Sequence, residues 1–304
     1  MGQAIKLDER ILEGVQSIAS YILATRYVIT HCNCMNLWAI SDLHIGQHNN
    51  RTALLSVENR PDDWLILAGD VGDSEAHLAD AFKLLCPRFA KLIWVPGNHE
   101  LWATKTGSSA AARGEARYLS LVALARSFSV LTPEDPYQIW PGSNPPIVIA
   151  PLFTLYDYTF RPDAVAAADV LEWAAADGIM SADELLLDPA PFSDRVAWCA
   201  SRVAHTTARL AAIPSNYISI LVNHYPLEQS HAVLPRVPRF SPWCGTKLTS
   251  SWHLRFRAMA VVYGHLHIPR AFNQDGVMFH EVSLGYPGQW DPDSSLDSRI
   301  RKIL

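Results

Sequence analysis

The sequence predicts a layered α/β protein on three observations. Short apolar runs recur from residue 36 onward, helix-length segments lie between several of them, and each run is bounded by turn-forming or polar residues. Six runs, 37–40, 64–68, 92–95, 147–150, 218–222 and 259–263, have the length and continuous hydrophobicity of buried strands. Helices are expected over roughly 74–85, 114–126, 163–177 and 193–212. The last opens at Ser193 and Asp194, whose side-chain oxygens can accept from the free amides of a first turn. Asp275 and Gly276, between apolar 271–272 and 277–279, mark a hairpin. No internal repeat or low-complexity linker divides the chain, so one domain is the expected count.

Composition agrees with that class. At 304 residues, 49% hydrophobic and 18% charged, the chain can bury a full core and is not a disordered one. Its formal charge of -5 lacks the basic excess of a general nucleic-acid binder, so no stable nucleic-acid partner is expected. The cysteines (Cys32, Cys34, Cys86, Cys199, Cys244) form no CxxC pair, which argues against a disulfide framework or a thiolate zinc site and fits a reducing, cytoplasmic location. Residues 11–30 are the one candidate targeting stretch, but Glu13, Gln16 and Arg26 interrupt it, so no transmembrane helix and no membrane partner are expected. A signal peptide fits poorly, because residues 1–10 mix Lys6 and Arg10 with Asp8 and Glu9. Residues 1–34 therefore read as a leader, helical or poorly ordered and dispensable to a domain spanning 35–304. Within that domain, 154–195 is rich in Ala, Asp, Pro and aromatics and reads either as a cap-like insertion that shapes substrate access or as an ordinary helical excursion.

The functional signal lies in the residues at the end of each apolar run. Run 37–40 leads into Ser41, Asp42, Leu43 and His44; 64–68 leads into Gly69, Asp70 and, three on, Asp73; 92–95 leads through Pro96 and Gly97 into Asn98, His99 and Glu100. Later, 218–222 leads into Asn223 and His224, and 259–263 into Gly264, His265 and His267. Functional groups in open α/β sheets gather at the carboxyl ends of strands, so these five endings can converge on one crevice. Asp42 and His44, like His265 and His267, are one residue apart, which aims both members of a pair to the same side of an extended segment. Gly69, Gly97 and Gly264 permit tight turns and close backbone approach. One such ending reads as a capped loop; five in order read as a site. Asp, Asn and His are oxygen and nitrogen donors suited to divalent or trivalent first-row metals. Asp42, His44, Asp70, Asn98, His224, His265 and His267 are too many donors for one tetrahedral ion, whereas two ions about 3.5–4 Å apart sharing a bridging carboxylate use them all.

In order, D-x-H, G-D-x-x-D, G-N-H-E, a later H and G-H-x-H resemble the motif set of the calcineurin-like metallophosphoesterase superfamily, over roughly residues 36–285. The resemblance implies a four-layer sandwich of two β-sheets packed between helices. It also implies one metal held by Asp42, His44, Asp70 and His267 and a second held by Asp70, Asn98, His224 and His265, with Asp70 bridging. His99 matches the family's non-ligand histidine, which contacts phosphate or protonates the leaving group, and Asp73 and Glu100 would support the ligands from behind. The implied cofactors are two metal ions, iron or manganese with zinc as the alternative. Two such cations activate a bridging water as hydroxide for in-line attack on a phosphoester while a nearby histidine serves as general acid.

Surrounding residues narrow the substrate. Ser74 and Glu75 after Asp73, and Val95 and Pro96 before Gly97, depart from the Asp-Arg-Gly and Arg that the protein serine/threonine phosphatase branch carries at these places. The stretches LWAISDLH, DDWLILAGDV, FAKLIWVPGNHELW, LYDY, VNHYPL, WCGT, VYGHLHIPR and LGYP are instead similar to actinobacterial phosphopantetheine hydrolases. That similarity implies removal of 4'-phosphopantetheine from the serine of a holo acyl carrier protein, with the carrier as partner. The chain stops soon after Gly285, Tyr286 and Pro287, a departure from the resemblance that leaves any substrate contact from the family's tail open. Residues 229–274 contain no Asp or Glu but carry Arg236, Arg239, Lys247, Arg255, Arg257 and Arg270. A positive rim there, with Arg236 and Arg239 as substrate contacts, can steer an acidic carrier or a phosphodiester. Two other readings stand beside this one. The first is a cyclic-nucleotide phosphodiesterase or nuclease of the same superfamily. The second is a non-catalytic phosphoesterase-fold binding protein, although such relatives lose ligand histidines that this chain keeps. His48, His77, His205, His231 and His253 read as surface or core histidines rather than ligands.

Overall fold

The structure, a computed structural model, describes residues 35–103 and 112–304; the leader expected at 1–34 lies outside the described residues. In chain order the first half contains β1 (Leu37–Ile40), α1 (His48–Leu54), β2 (Arg60–Leu67), α2 (Glu75–Leu85), β3 (Phe89–Trp94), α3 (Asn98–Leu101), α4 (Gly114–Ser127), β4 (Gln138–Ile139) and β5 (Ile147–Pro151). The second half contains α5 (Val170–Ala175), α6 (Asp183–Leu186), α7 (Arg195–Ala211), β6 (Ile218–Val222), α8 (Trp252–Arg255), β7 (Ala258–Tyr263), β8 (Arg270–Gln274), β9 (Val277–Glu281) and β10 (Arg301–Lys302).

Two mixed sheets form, in the orders β10-β1-β2-β3 and β4-β5-β6-β7-β9-β8. The central strands of both are parallel and the edges β10, β4 and β8 are antiparallel. An isolated bridge between Ser41 and Ser283 ties the end of β1 to the chain after β9. The interior strands are buried on both faces, as continuous apolar runs require. In β2 and β3, Leu65, Leu67, Leu92 and Trp94 share one cluster with Leu78 and Phe82 of α2 and Leu121 of α4. The alternate residues Ile66 and Ile93 are as buried and point the other way, so each sheet is covered on both sides. Trp198 and Cys199 of α7 join the cluster with Leu221 of β6 and Phe279 of β9.

All six expected strands are present, and Asp275 and Gly276 form the β8–β9 turn with both residues at positive φ. Helix α7 begins where Asp194 accepts from the Ala197 amide at 2.7 Å. The expected helix over 163–177 is mostly lost: a 3-10 turn at Ala167–Asp169 leads into the short α5, and only Val170 and Ala174 are buried. With only Val170, Trp173 and Ala174 to pack, the segment holds little more than one turn of helix. Helix α1 carries no signal in the sequence, because it is held by polar contacts rather than an apolar stripe. Asn50 donates to the carbonyls of Leu43 and Gly285 and accepts from the Trp290 indole.

One buried ion pair anchors α7. Arg202 donates to Glu134 and lies over the rings of Tyr118 and Phe153, and Glu134 also accepts from the Tyr118 hydroxyl at 2.6 Å. Truncating Arg202→Ala leaves Glu134 partly buried without its cation and should lower stability by about 2 kcal/mol. Urea unfolding measures this, and a loss below about 0.5 kcal/mol, the scale of an exposed pair, would show that solvent screens it.

Candidate metal centre

All five strand endings meet at one place. Asp42 and His44 follow β1, Asp70 follows β2, Asn98 and His99 open α3 after β3, His224 follows β6, and His265 and His267 follow β7. Close backbone approach makes this possible. A Cβ at Gly97 would lie 2.1 Å from Asp70 Oδ1, and one at Gly264 would lie 2.3 Å from Asp42 Oδ2. Asp42, His44, Asp70, His265 and His267 are five of the ten described non-glycine residues at positive φ. Each such residue costs about 1 kcal/mol or more, strain that typically accumulates where side-chain placement serves function.

Six of the seven expected donors fall into two groups; Asn98 is in neither, and a third cluster, of His44, Asp73 and His99, shares His44 with the first. Ligand-type atoms of Asp42, His44 and His267 lie within 4.8 Å of one another, and those of Asp70, His224 and His265 do likewise. In each group two imidazole nitrogens face each other at 3.2 Å: His44 Nε2 with His267 Nε2, and His265 Nδ1 with His224 Nε2. The outer nitrogens decide what faces inward. His224 Nδ1 lies 2.9 Å from the Ala68 carbonyl, and His267 Nδ1 lies 2.8 Å from Gln289 Oε1. Both acceptors require a proton on Nδ1, so the neutral tautomers present Nε2 lone pairs to the centre. Two lone pairs at that distance repel unless a cation or proton lies between them. Ligands about 2.1 Å from one ion sit roughly 3.0 Å apart at a right angle and 3.4 Å at the tetrahedral angle, which brackets the observed spacing.

The surrounding charge points the same way. Burial would raise the Asp42 and Asp70 carboxyls, but His267 beside Asp42, and His224 and His99 beside Asp70, hold both well below the usual range. Burial lowers His44 to about 4 and His265 to about 3, while burial is overcome at His224, which Asp70 holds up to about 10. In each facing pair one imidazole is thus pushed toward its charged form and the other away from it. Asn98 is 5% exposed, and its Oδ1 is buried without a hydrogen-bond partner among the described residues. An amide oxygen left so is a ready ligand, and the donor set fits oxygen- and nitrogen-binding first-row metals.

Around the donors, other groups fix their positions. Asp42 Oδ2 accepts from Ser41 Oγ at 2.6 Å, Ser283 Oγ at 2.8 Å and the His265 amide at 3.0 Å. Glu100 faces the backbone, accepting from the amides of Asp70, Val71 and Gly97 at 3.0, 2.6 and 2.9 Å. Burial and the neighbouring Asp70 push its carboxyl up to about 7. His99 Nδ1 pairs with Asp73 Oδ1 at 3.0 Å, while its Nε2 lies 3.8 Å from Asp70 Oδ2 and 3.3 Å from the Tyr286 hydroxyl. Burial opposes its charge, but Asp70 and Asp73 hold the imidazolium up to about 9.

Comparison with known proteins accords with this geometry. Residues 35–269 match the family described as calcineurin-like phosphoesterase. The chain belongs to that family. It is 46% identical over 256 residues to the acyl-carrier-protein phosphodiesterase PptH of Mycobacterium tuberculosis, covering 84% of this chain and 79% of the relative. The crystal structure of the phosphopantetheinyl hydrolase from the same organism superposes with a TM-score of 0.84 at 44% identity, covering 88% of this chain and 95% of the other. Two mixed sheets with flanking helices are the architecture of this family.

Two residues near this family centre carry no mark in the sequence motifs. Asp183 of α6, in the 154–195 segment, is fully buried and accepts from Asn98 Nδ2 at 3.0 Å and Trp102 Nε1 at 2.6 Å. It thereby fixes which end of the Asn98 amide faces inward. Tyr286 stacks on His44 with centroids 4.3 Å apart and reaches His99 with its hydroxyl. It belongs to the LGYP stretch, which signals a likeness but no role.

The basic window is largely used within the protein. Arg239 pairs with Asp177 at 2.7 Å and lies over Trp173, Lys247 pairs with Asp163, and Arg257 and Arg270 donate to carbonyls. The positive rim expected from the sequence is therefore reduced in effect, because partners outside the acid-free window neutralise two of its cations. Arg236 differs: it is exposed, makes no ion pair among the described residues, and lines a cavity that also includes His267. His205, His231 and His253 make contacts away from the donors, His205 to Glu134, His231 to Gln274 and His253 to Asp275.

Two variants test this support. Glu100→Gln places an amide donor against one of three backbone N–H groups and should lower stability by about 2 kcal/mol in urea unfolding. Asp183→Ala should weaken Mn²⁺ binding about 10- to 100-fold by calorimetry, while Asp183→Asn, which retains an oxygen acceptor, should weaken it less. Wild-type affinity in Asp183→Ala would show that Asn98 keeps its pose unaided.

Proposed function

We propose that this protein is a dinuclear-metal phosphoesterase that hydrolyses the phosphodiester between 4'-phosphopantetheine and the serine of a holo acyl carrier protein. The substrate reading rests on one observation above the rest: 46% identity over 84% of the chain to a protein named for that carrier-protein activity. The reaction reading is supported by the two facing donor groups. In it, Asp42, His44, Asp70 and His267 would hold one ion, and Asp70, Asn98, His224 and His265 the other. Manganese or iron, with zinc as the alternative, would supply charge that acidifies a water and neutralises phosphoryl oxygens. The three described cysteines are free, in keeping with work in the reducing cytoplasm.

The chain's own groups supply the rest. His99, braced at Nδ1 by Asp73, offers a proton at Nε2 to the departing serine oxygen as general acid. The Tyr286 phenol, which burial and nearby carboxylates keep far above its ordinary pKa and so protonated, offers a hydrogen bond to a phosphoryl oxygen from its place against His99 and His44. Trp102, with its centroid 3.7 Å from that of His99, shields the donor from water on one side.

Turnover of holo carrier protein, 2',3'- and 3',5'-cyclic nucleotides and bis-p-nitrophenyl phosphate by the metal-loaded protein tests the proposal. The carrier protein should be preferred, and Asp70→Asn should abolish all turnover. His99→Ala should slow release of serine about 10²- to 10⁴-fold and release of p-nitrophenolate less, because that leaving group needs little help from an acid. Preference for a cyclic nucleotide would replace the substrate reading, and unchanged turnover in Asp70→Asn would remove the dinuclear one.

A further inference from the structure

A cavity of about 490 Å³ opens beside the donor groups and shares His267 with them. His267 Nε2 lies 3.1 Å from Asp42 Oδ1, so a phosphoryl group at the metal centre would have this space next to it. The chemistry of the walls is specific. Leu234, Val237 and Ile268 make them largely aliphatic, and Val237 is 39% exposed among the described residues. The one arginine, Arg236, is free of ion pairs among the described residues. Gln289 uses Oε1 to accept from His267 Nδ1 and the Tyr286 amide, and its Nε2 makes no hydrogen bond among the described residues. Apart from His267 no aromatic ring lines the cavity among the described residues, so it lacks the paired aromatic platform on which a nucleobase would stack. Pro235 in the wall and Pro238 just beyond it each restrict their own φ, which limits the freedom of the backbone around Arg236 and Val237.

We propose that this cavity receives the pantetheine arm of the substrate, an inference that rests on the phosphoesterase reading above. The branched methyl groups and methylenes of such an arm suit Leu234, Val237 and Ile268, and its amide carbonyls suit Gln289 Nε2 and Arg236. The volume lies within the roughly 300–1,000 Å³ of pockets that bury ligands of this size. The cavity therefore selects the phosphoester by its alcohol arm, while the donor groups take the phosphate common to all phosphoesters. This separates specificity from chemistry.

Calorimetric titration of the manganese-loaded protein with 4'-phosphopantetheine and with inorganic phosphate tests the assignment without any turnover. The wild type should bind phosphopantetheine at least tenfold more tightly than phosphate. Val237→Trp, which fills the cavity from an exposed position, should remove that difference and shift phosphate affinity by less than about twofold. Equal affinities in the wild type would overturn the proposal, as would a Val237→Trp protein that binds both ligands more weakly to the same degree or retains the preference. If phosphopantetheine binds as expected but holo carrier protein is not cleaved, the carrier-protein substrate fails while the arm site stands.

Discussion

Uncompensated negative charge is the constraint on which the rest of this structure depends. Asp42, Asp70, Glu100, Asp183 and Glu281 are all buried, and none pairs with a lysine or arginine among the described residues. Removing a carboxylate from water costs several kcal/mol even after relaxation. Here the opposing charge falls to histidines, and only some of them can carry it: His224 and His267 are pushed toward the imidazolium, His44 and His265 away from it. Where histidines do not reach, the carboxyls rise instead, Glu281 to about 7, mainly through burial and then through Asp42. Cations held as proposed at the two donor groups would offset the charge on Asp42 and Asp70 and satisfy the inward lone pairs of the histidines.

The scaffold is arranged around that demand. Parallel strands bring their carboxyl ends to one place, but the ends must also approach more closely than side chains normally allow, which is why Gly97 faces Asp70 and Gly264 faces Asp42. Strained backbone at five donors is tolerated because the flanking strands are fully buried and over-determine the turn conformations. Glu100 shows how tightly the parts are joined: one carboxylate holds amides from the end of β2 and from the start of its own helix, so the Asp70 and Asn98 turns cannot move independently.

Much of this was legible in the sequence because strands and their endings are local. Continuous apolar runs marked the six strands, and among the polar residues after them are those the structure brings together, Asp42, His44 and His267 in one group and Asp70, His224 and His265 in another. What stayed hidden was long-range. Asp183 lies 85 positions from the Asn98 it orients, on a four-residue helix with no periodic signal. Tyr286 reaches His99 from 187 positions away. The pairing of the basic window was hidden for the same reason, because Asp163 and Asp177, the partners of Lys247 and Arg239, come from the segment over 154–195 rather than from sequence neighbours.

The central claim is that Asp70 joins two cations into one centre. Electron paramagnetic resonance of the manganese-loaded protein, with metal content measured on the same sample, tests it most directly. The account predicts two ions per chain with the multiline signal of a spin-coupled pair, replaced by uncoupled or single-ion spectra in Asp70→Asn. One ion per chain in the saturated wild type, or two that are magnetically independent, would contradict it.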